Sequence, residues 1–515
     1  MGRQVALMAY LVVLFPLAGC ATFAIDLAPD RPDRPWTPAT AAGDEIVPGP
    51  SPDKPKSATY VLPPSRSLAA VPSPASELNR HQPYTLPQLI DLAQSTNPTT
   101  RNAWNDARNA ALAAGIAEST YLPRVSAAIV EGYLTAHNEN SALSLNLAND
   151  VTARTTVSAL SVEWLLFDFG ERSALVDAAK QGSLISNFAF TAAHQQVIYN
   201  VSLAFYADAA ARDRLASATE SLKDAEEVQA AAEEKYKQGI ASVLDVAQTR
   251  QAAAEARLAH VQAEGAAENS YLALISAIGI SPTTKIRIAN ESHRKLSAAM
   301  TRPVDRIMSE ALARRPDVLS ANAGLQASLA NVRAAQAAFL PKVFVAATGA
   351  YSTGDLYLTA LPGVGQLPPI LNLPTQVGVS GPQLGATTVV GATMPIYDGG
   401  TRAAALEEAR NRVDKAETTL SQTKNEAVRQ IIVAGNTVKT SLSAYSAATA
   451  LVAAARTTFD AALAAYRNGV GSISDATVAE RQLLLAKNAQ TDAYSTALSA
   501  AATLALSAGL LGSAP

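Results

Sequence analysis

Side chains able to do covalent or metal chemistry are few and scattered along this 515-residue chain. His81, His137, His194, His260 and His293 are isolated from one another, and none has the spacing of metal ligands. Neither a glycine-rich phosphate loop nor a nucleophile elbow occurs, so no enzymatic step and no resident metal is expected. Any energy the protein uses must come from a partner. The single cysteine, Cys20, closes the run Leu17-Ala18-Gly19-Cys20, directly after Arg3 and an apolar stretch from Val5 to Leu17. This is the pattern of a secretory signal over residues 1–19 followed by a lipobox. The covalent chemistry expected is therefore done to the chain: a diacylglycerol and an acyl chain on Cys20. One cysteine leaves no partner for a disulfide. Residue 21 is Ala rather than the Asp that signals inner-membrane retention, which points to the outer membrane.

The rest of the chain must be read for what it builds. Net charge is −3 and charged residues make up 17% of the sequence, without the basic excess of a nucleic-acid binder. Hydrophobic residues reach 48% but aromatics only 5%, and alanine supplies much of the difference, which suits helices packed closely through small side chains. Past the leader no apolar stretch of about 18 residues occurs, so a membrane span must use strands. Residues 20–84 are crowded with proline, which excludes helix interiors and leaves either a disordered linker or an extended arm.

The body then states one plan twice. Asn97-Pro98 and Tyr121-Leu122-Pro123 match Arg315-Pro316 and Phe339-Leu340-Pro341 at a constant shift of 218. Phe167-Asp168-Phe169-Gly170 matches Tyr397-Asp398-Gly399-Gly400, Tyr236-Lys237-Gln238-Gly239 matches Tyr466-Arg467-Asn468-Gly469, and Asp245 matches Asp475, all at a shift of 230. The 12-residue difference is expected in a Gly- and Pro-rich loop from Thr353 to Gln383. Each copy reads as helix, strand, loop, strand, long helix, shorter helix. Proline-free runs from Arg172 to Lys237 and from Arg402 to about Arg467 predict helices of roughly 100 Å at 1.5 Å per residue. Period-two alternation predicts strands at Arg124–Thr135, Thr152–Phe167, from Val343, and over Val390, Ala392, Met394 and Ile396. Four strands per chain fall short of the ~8 that a closed membrane barrel needs, so three chains supplying twelve are expected.

The long helices end in Tyr-x-x-Gly. Gly239 and Gly469 suit the left-handed cap, and Ser242 with Asp245 and Ser472 with Asp475 suit the start of the next helix, which makes two hairpin turns.

These motifs, with the opening Thr85-Leu86-Pro87-Gln88-Leu89, resemble the TolC-like outer-membrane efflux proteins, specifically the lipidated branch serving resistance-nodulation-division pumps. The resemblance runs from about Tyr84 to Leu511. It implies a mixed α and β homotrimer, a twelve-stranded outer-membrane β-barrel continuous with a long periplasmic α-helical barrel. It also implies a periplasmic adaptor docked at the helical tip, an inner-membrane pump beyond it, and outer-membrane lipid around the barrel. On this plan residues 85–281 and 304–515 are two repeats joined by an equatorial linker, 282–303. Tyr236, Gly239, Tyr466 and Gly469 become adaptor-contact candidates. Asp460, whose counterpart at the 230 shift is Ala230, becomes the candidate lumen gate, against the plain alternative of a solvated helix-face aspartate. The function implied is a passive exit duct; a non-conducting envelope-spanning lipoprotein and the outer-membrane part of a type I secretion system stand as alternatives.

Overall fold

The computed structural model describes residues 82–142, 145–289, 304–359 and 377–512, with 27–28, 38–41, 46–50, 62, 68–70 and 296. The signal segment, Cys20 and nearly all of the proline-rich arm lie outside the described residues. Two compact units are present. In the first, residues 1–78 with 281–285, β1 (Pro38–Thr40) pairs antiparallel with β2 (Ile46–Pro50). The second holds everything that follows.

In chain order the second unit runs β3 (Pro83–Tyr84), α1 (Leu86–Thr96), α2 (Pro98–Ser119), β4 (Arg124–Ala142), β5 (Leu145–Phe167), α3 (Glu171–Lys237), α4 (Val243–Ile278) and β6 (Arg287–Ile288). It continues with α5 (Val304–Arg314), α6 (Pro316–Ala337), β7 (Lys342–Thr359), β8 (Val377–Ser380), β9 (Gln383–Thr393), α7 (Thr401–Arg467) and α8 (Ile473–Ser507). The single helix expected at the head of each half is a pair. Pro98 and Pro316 stand at the first position of α2 and α6, where a missing N–H costs nothing, while Asn97 and Arg315 before them are held extended, with ψ of 127° and 125°.

α3 and α7 are each 67 residues long, about 100 Å. α3 packs against both α4 and α8, and α8 against α7, so the lower helices lie in the order α4, α3, α8, α7. Nearer the sheet, α6 packs between α3 and α7. The buried side chains are small: Ala225, Ala253 and Ala256 close the α3–α4 seam, and Ala434, Val438, Ala500 and Leu504 the α7–α8 seam. Alanine at these positions lets backbones approach closely at little cost in side-chain entropy.

β4, β5 and β7 form a continuous antiparallel sheet, and β8 and β9 both pair along the far side of β7. Ser380 opposes Asp355 and Gln383 opposes Ser352, so β8 and β9 occupy one strand position without a slip of register. They are separate because Pro382, lacking an N–H, interrupts the ladder beside Gly381. The strands exceed their predicted lengths. β4 and β5 extend to Ala142 and back to Leu145, where polar residues hide the alternation but the backbones stay paired. The loop expected over Thr353–Gln383 is correspondingly shorter, since β7 runs to Thr359 and β8 resumes at Val377. In the other direction β9 stops at Thr393, short of Met394 and Ile396, because Pro395 ends the ladder.

Candidate functional site

At the far end of the long helices both hairpin turns are made by the same backbone device. Gly239 and Gly469 sit at φ 76° and 74°. With those residues left-handed, Ile240 N–H reaches back to the Lys235 carbonyl at 2.9 Å and Val470 N–H to the Ala465 carbonyl at 3.0 Å, satisfying carbonyls that the helix ends leave free. Ser242 and Asp245 form a reciprocal box: Asp245 N–H donates to Ser242 Oγ at 3.2 Å, and Ser242 N–H to Asp245 Oδ2 at 2.8 Å. The second turn is simpler. Ser472 Oγ accepts from Ser474 N–H at 3.1 Å, and Asp475 is exposed in the first turn of α8, where its charge favours the helix N-terminus.

The two tyrosines of the matched motif do different things. Tyr236 is exposed, among exposed Ile240, Val243 and Leu244. Tyr466 is buried against Val228 and Ile473, and so is no surface residue. Burial, with the Asp245 carboxylate adding to it, pushes the Tyr466 phenol up from its ordinary pKa. Lys235 adds a contact that Tyr236 lacks: its Nζ donates to the Tyr466 carbonyl at 3.0 Å and lies 4.3 Å from the Tyr466 ring centre. Its cation thus sits at the negative end of α7 and over an aromatic face. The residue 230 further on is Ala465, so nothing equivalent holds Tyr236. Asp460 is exposed on α7, two turns before Gly469.

At the other end of the long helices, two motifs separate in sequence meet in space. Asp168 Oδ2 accepts from the Arg172 backbone N–H at 2.9 Å and from Arg172 Nε at 2.8 Å, capping α3. The Arg172 guanidinium also donates to the Thr120 and Leu165 carbonyls and lies 5.0 Å from the centre of the Tyr121 ring. The second corner repeats the ion pair and the ring contact, with Asp398, Arg402 and the Phe339 ring at 5.2 Å. The aromatic of each Tyr/Phe-Leu-Pro motif is therefore the lid on the arginine of each corner. Sequence matching found the pairs but not this contact, because a whole strand hairpin separates its members, 51 positions apart at the first corner and 63 at the second. One feature of the first corner is strained: Phe169 holds φ 50° where the second corner has Gly399 at φ 69°.

The helix breaks have a similar role. Asn97 Nδ2 donates to the Ala277 carbonyl at 2.9 Å, and an Arg315 guanidinium N–H to the Ser507 carbonyl at 2.8 Å, so each break caps the short helix of its own half.

The sheet is two-faced. Val125, Ile129, Leu160, Trp164, Tyr351 and Val390 all project to one face and are all exposed. The opposite face carries Ser126, Ser161, Thr348 and Thr387 together with exposed Val130 and Val389, the two serine hydroxyls lying 2.6 Å apart, while the Glu131–Arg154 ion pair lies on the first face. No helix among the described residues is long and apolar enough to cross a membrane. Among the same residues no group of His, Cys, Asp or Glu is arranged to hold a metal ion.

A long antiparallel sheet with exposed apolar side chains, carried on paired helices about 100 Å long, fits an envelope protein whose strands lie in lipid and whose helices form a stalk. The chain matches the outer membrane efflux protein model over residues 89–280 and 307–510, and it belongs to that family. It is 28% identical over 353 residues to protein CyaE of Bordetella pertussis, covering 68% of each chain. It is 26% identical over 348 residues to outer membrane protein OprJ of Pseudomonas aeruginosa, covering 67% of each. A crystal structure of a membrane protein from Pseudomonas aeruginosa superposes with a TM-score of 0.68 at 24% identity, covering 82% of this chain and 93% of that one. The protein is thus a transporter component of the outer membrane, reaching into the periplasm.

Proposed function

We propose that the protein is the passive exit duct of a tripartite efflux system, receiving substrate from an inner-membrane pump of the resistance-nodulation-division type through a periplasmic adaptor. The observation that carries this reading is the sheet. Among the described residues its edges, β4 on one side and β8 with β9 on the other, do not pair with each other in one chain. Open edges in lipid would leave backbone groups unpaired at several kcal/mol each, so the sheet calls for further chains. Three copies of four strand positions give a barrel of twelve, with the apolar face to lipid and the Ser/Thr face to the lumen. The recurring order of elements supports an internal duplication over 85–281 and 304–515, which lets three chains build a near-sixfold tube.

In this reading the exposed apolar side chains around Tyr236, with the turns at Gly239 and Gly469, meet the adaptor. Tyr466 supports that surface from beneath. Asp460 lines the entrance, where three copies would set an anionic ring favouring cations. Cys20 carries the lipid that adds an anchor to the barrel. A non-conducting scaffold has no use for a long sheet with one apolar face. Reconstitution of the purified protein in planar bilayers, with its mass in detergent measured alongside, tests the proposal: a trimer that conducts is expected, and a monomer that never conducts would refute it.

A further inference from the structure

The seams of the helical stalk differ in chemistry. The α3–α4 and α7–α8 seams close on alanine and other apolar side chains. The α3–α8 seam, which joins one hairpin to the other, sets polar contacts among apolar ones such as Val228 against Ile473. Tyr199 and Thr503 hydroxyls lie 3.1 Å apart, Ser495 Oγ donates to the Tyr206 carbonyl, Arg214 pairs with Asp492, and Lys487 Nζ sits 2.6 Å from Glu220 Oε2. Toward the tip end of this seam, seven residues after the start of α8, is Glu480. Its side chain is buried, at 6% exposure, and its Oε1 accepts from Ser221 Oγ at 3.0 Å.

Among the described residues Glu480 pairs with no cation. The neighbouring positive groups are already engaged: Lys487 on α8 and Arg456 on α7 both turn to Glu220. Arg481, next in sequence, lines a separate groove with Gln248, Gln251 and Glu255 of α4. On α3 the group facing Glu480 is Asp224, one turn beyond Ser221 and itself near Glu220 and Glu227 and the cations Lys487 and Lys223. The buried acid of α3, Asp208, does have a counter-ion, Arg212 at 2.7 Å. The position 230 before Glu480 is Arg250, which pairs with Glu233 inside its own hairpin. Glu480 is therefore a buried acid with a like-charged neighbour, placed where two otherwise self-contained hairpins meet.

We propose that Glu480 is a protonation-dependent fastener between the two helical hairpins: with Glu480 neutral the α3–α8 seam is tight, and with Glu480 ionised beside Asp224 the seam loosens. Burial, and behind it the Asp224 charge, pushes the Glu480 carboxyl up to about 7, against the opposing pull of the Ser221 hydrogen bond. Asp224 is pushed up as well, by burial first and then by Glu220 and Glu227. The sign follows from linkage. A carboxyl whose pKa is raised in the closed seam binds its proton more tightly there than when the seam is open. The fastening is complete below the ordinary carboxylate range, weakens as pH rises toward about 7, and is constant above it. The periplasm exchanges small ions with the exterior, so the stalk would register external acidity.

The inference concerns one chain's own hairpins and holds whether or not the protein conducts. Amide hydrogen exchange of the full-length protein in detergent, corrected for the intrinsic effect of pH, tests it. In the wild type, protection of residues 473–487 falls by about tenfold or more between about pH 5 and 7 and levels off above, while residues 243–257 of α4 do not follow. E480Q keeps the Ser221 bond, cannot ionise, and holds the low-pH protection throughout. D224N removes the like charge and moves the levelling-off to lower pH; it carries the test alone if E480Q fails to assemble. Flat wild-type protection, the same fall in E480Q, or an unmoved D224N profile overturns the proposal.

Discussion

Removing Arg172 is the sharpest test of how the long helices are seated on the sheet, because the molecule contains its own control. Arg172 and Asp168 have side chains only 9% and 7% exposed, and their ion pair is 2.8 Å. Arg172→Ala leaves the Asp168 carboxylate buried with only backbone N–H donors, and leaves the Thr120 and Leu165 carbonyls without the guanidinium. Breaking a buried pair by removing one member costs about 3–5 kcal/mol, since the remaining charge can be neither solvated nor paired. At the second corner the same pair is more open, with side chains 16% and 29% exposed, and Asp398 can take up water when Arg402 is lost. Its carboxyl is held below the ordinary range chiefly by the Arg402 hydrogen bond, and that contribution is screened at a solvent-facing site. Thermal unfolding of the two alanine variants in one detergent, followed by far-UV circular dichroism, should therefore show R172A losing several degrees more than R402A. Equal losses, or a larger loss in R402A, would show that burial of the corner does not set its worth.

Further substitutions address the remaining contacts. Gly279 ends α4 at φ 86°, and a Cβ there would lie 2.7 Å from the Asn97 Cα, so Gly279→Ala should be strongly destabilising. Gly265→Ala, inside the same helix with open space around it, should stabilise by about 0.5–1 kcal/mol; a loss at both sites would contradict the steric argument. Lys235→Met keeps the aliphatic packing but removes the cation over Tyr466, a charged hydrogen bond of about 1.5–3 kcal/mol, and should speed amide exchange around residues 463–471 by roughly tenfold or more. Exchange indistinguishable from wild type would mean that Lys235 does not tie the tip together. On the duct reading, Asp460→Ala raises single-channel conductance by removing the anionic ring, and an unchanged conductance counts against the gate. Cys20→Ala should remove the mass of the attached acyl chains from the mature protein; an unchanged lipid content by mass spectrometry would place the modification elsewhere.

What the sequence determined by itself is local. The 67-residue helices were legible because no proline interrupts them, and their ends because Gly239, Ser242, Gly469 and Ser472 satisfy helix termini with groups at most a few residues away. The strands were legible only where apolar and small residues alternate, and their outer reaches were not, because backbone pairing continues past the point where side chains advertise it. Everything that depends on a neighbour distant in the chain was decided by the tertiary structure. Tyr236 and Tyr466 share a motif, yet one is exposed and the other buried, and only α7 ends beneath a lysine of α3. Tyr121 and Phe339 roof the two corner arginines across a strand hairpin that no sequence period connects. Glu480 reads as one more helix-face acid until α3 is laid against it, because a carboxylate's chemistry is set by the dielectric and the charges that packing places around it.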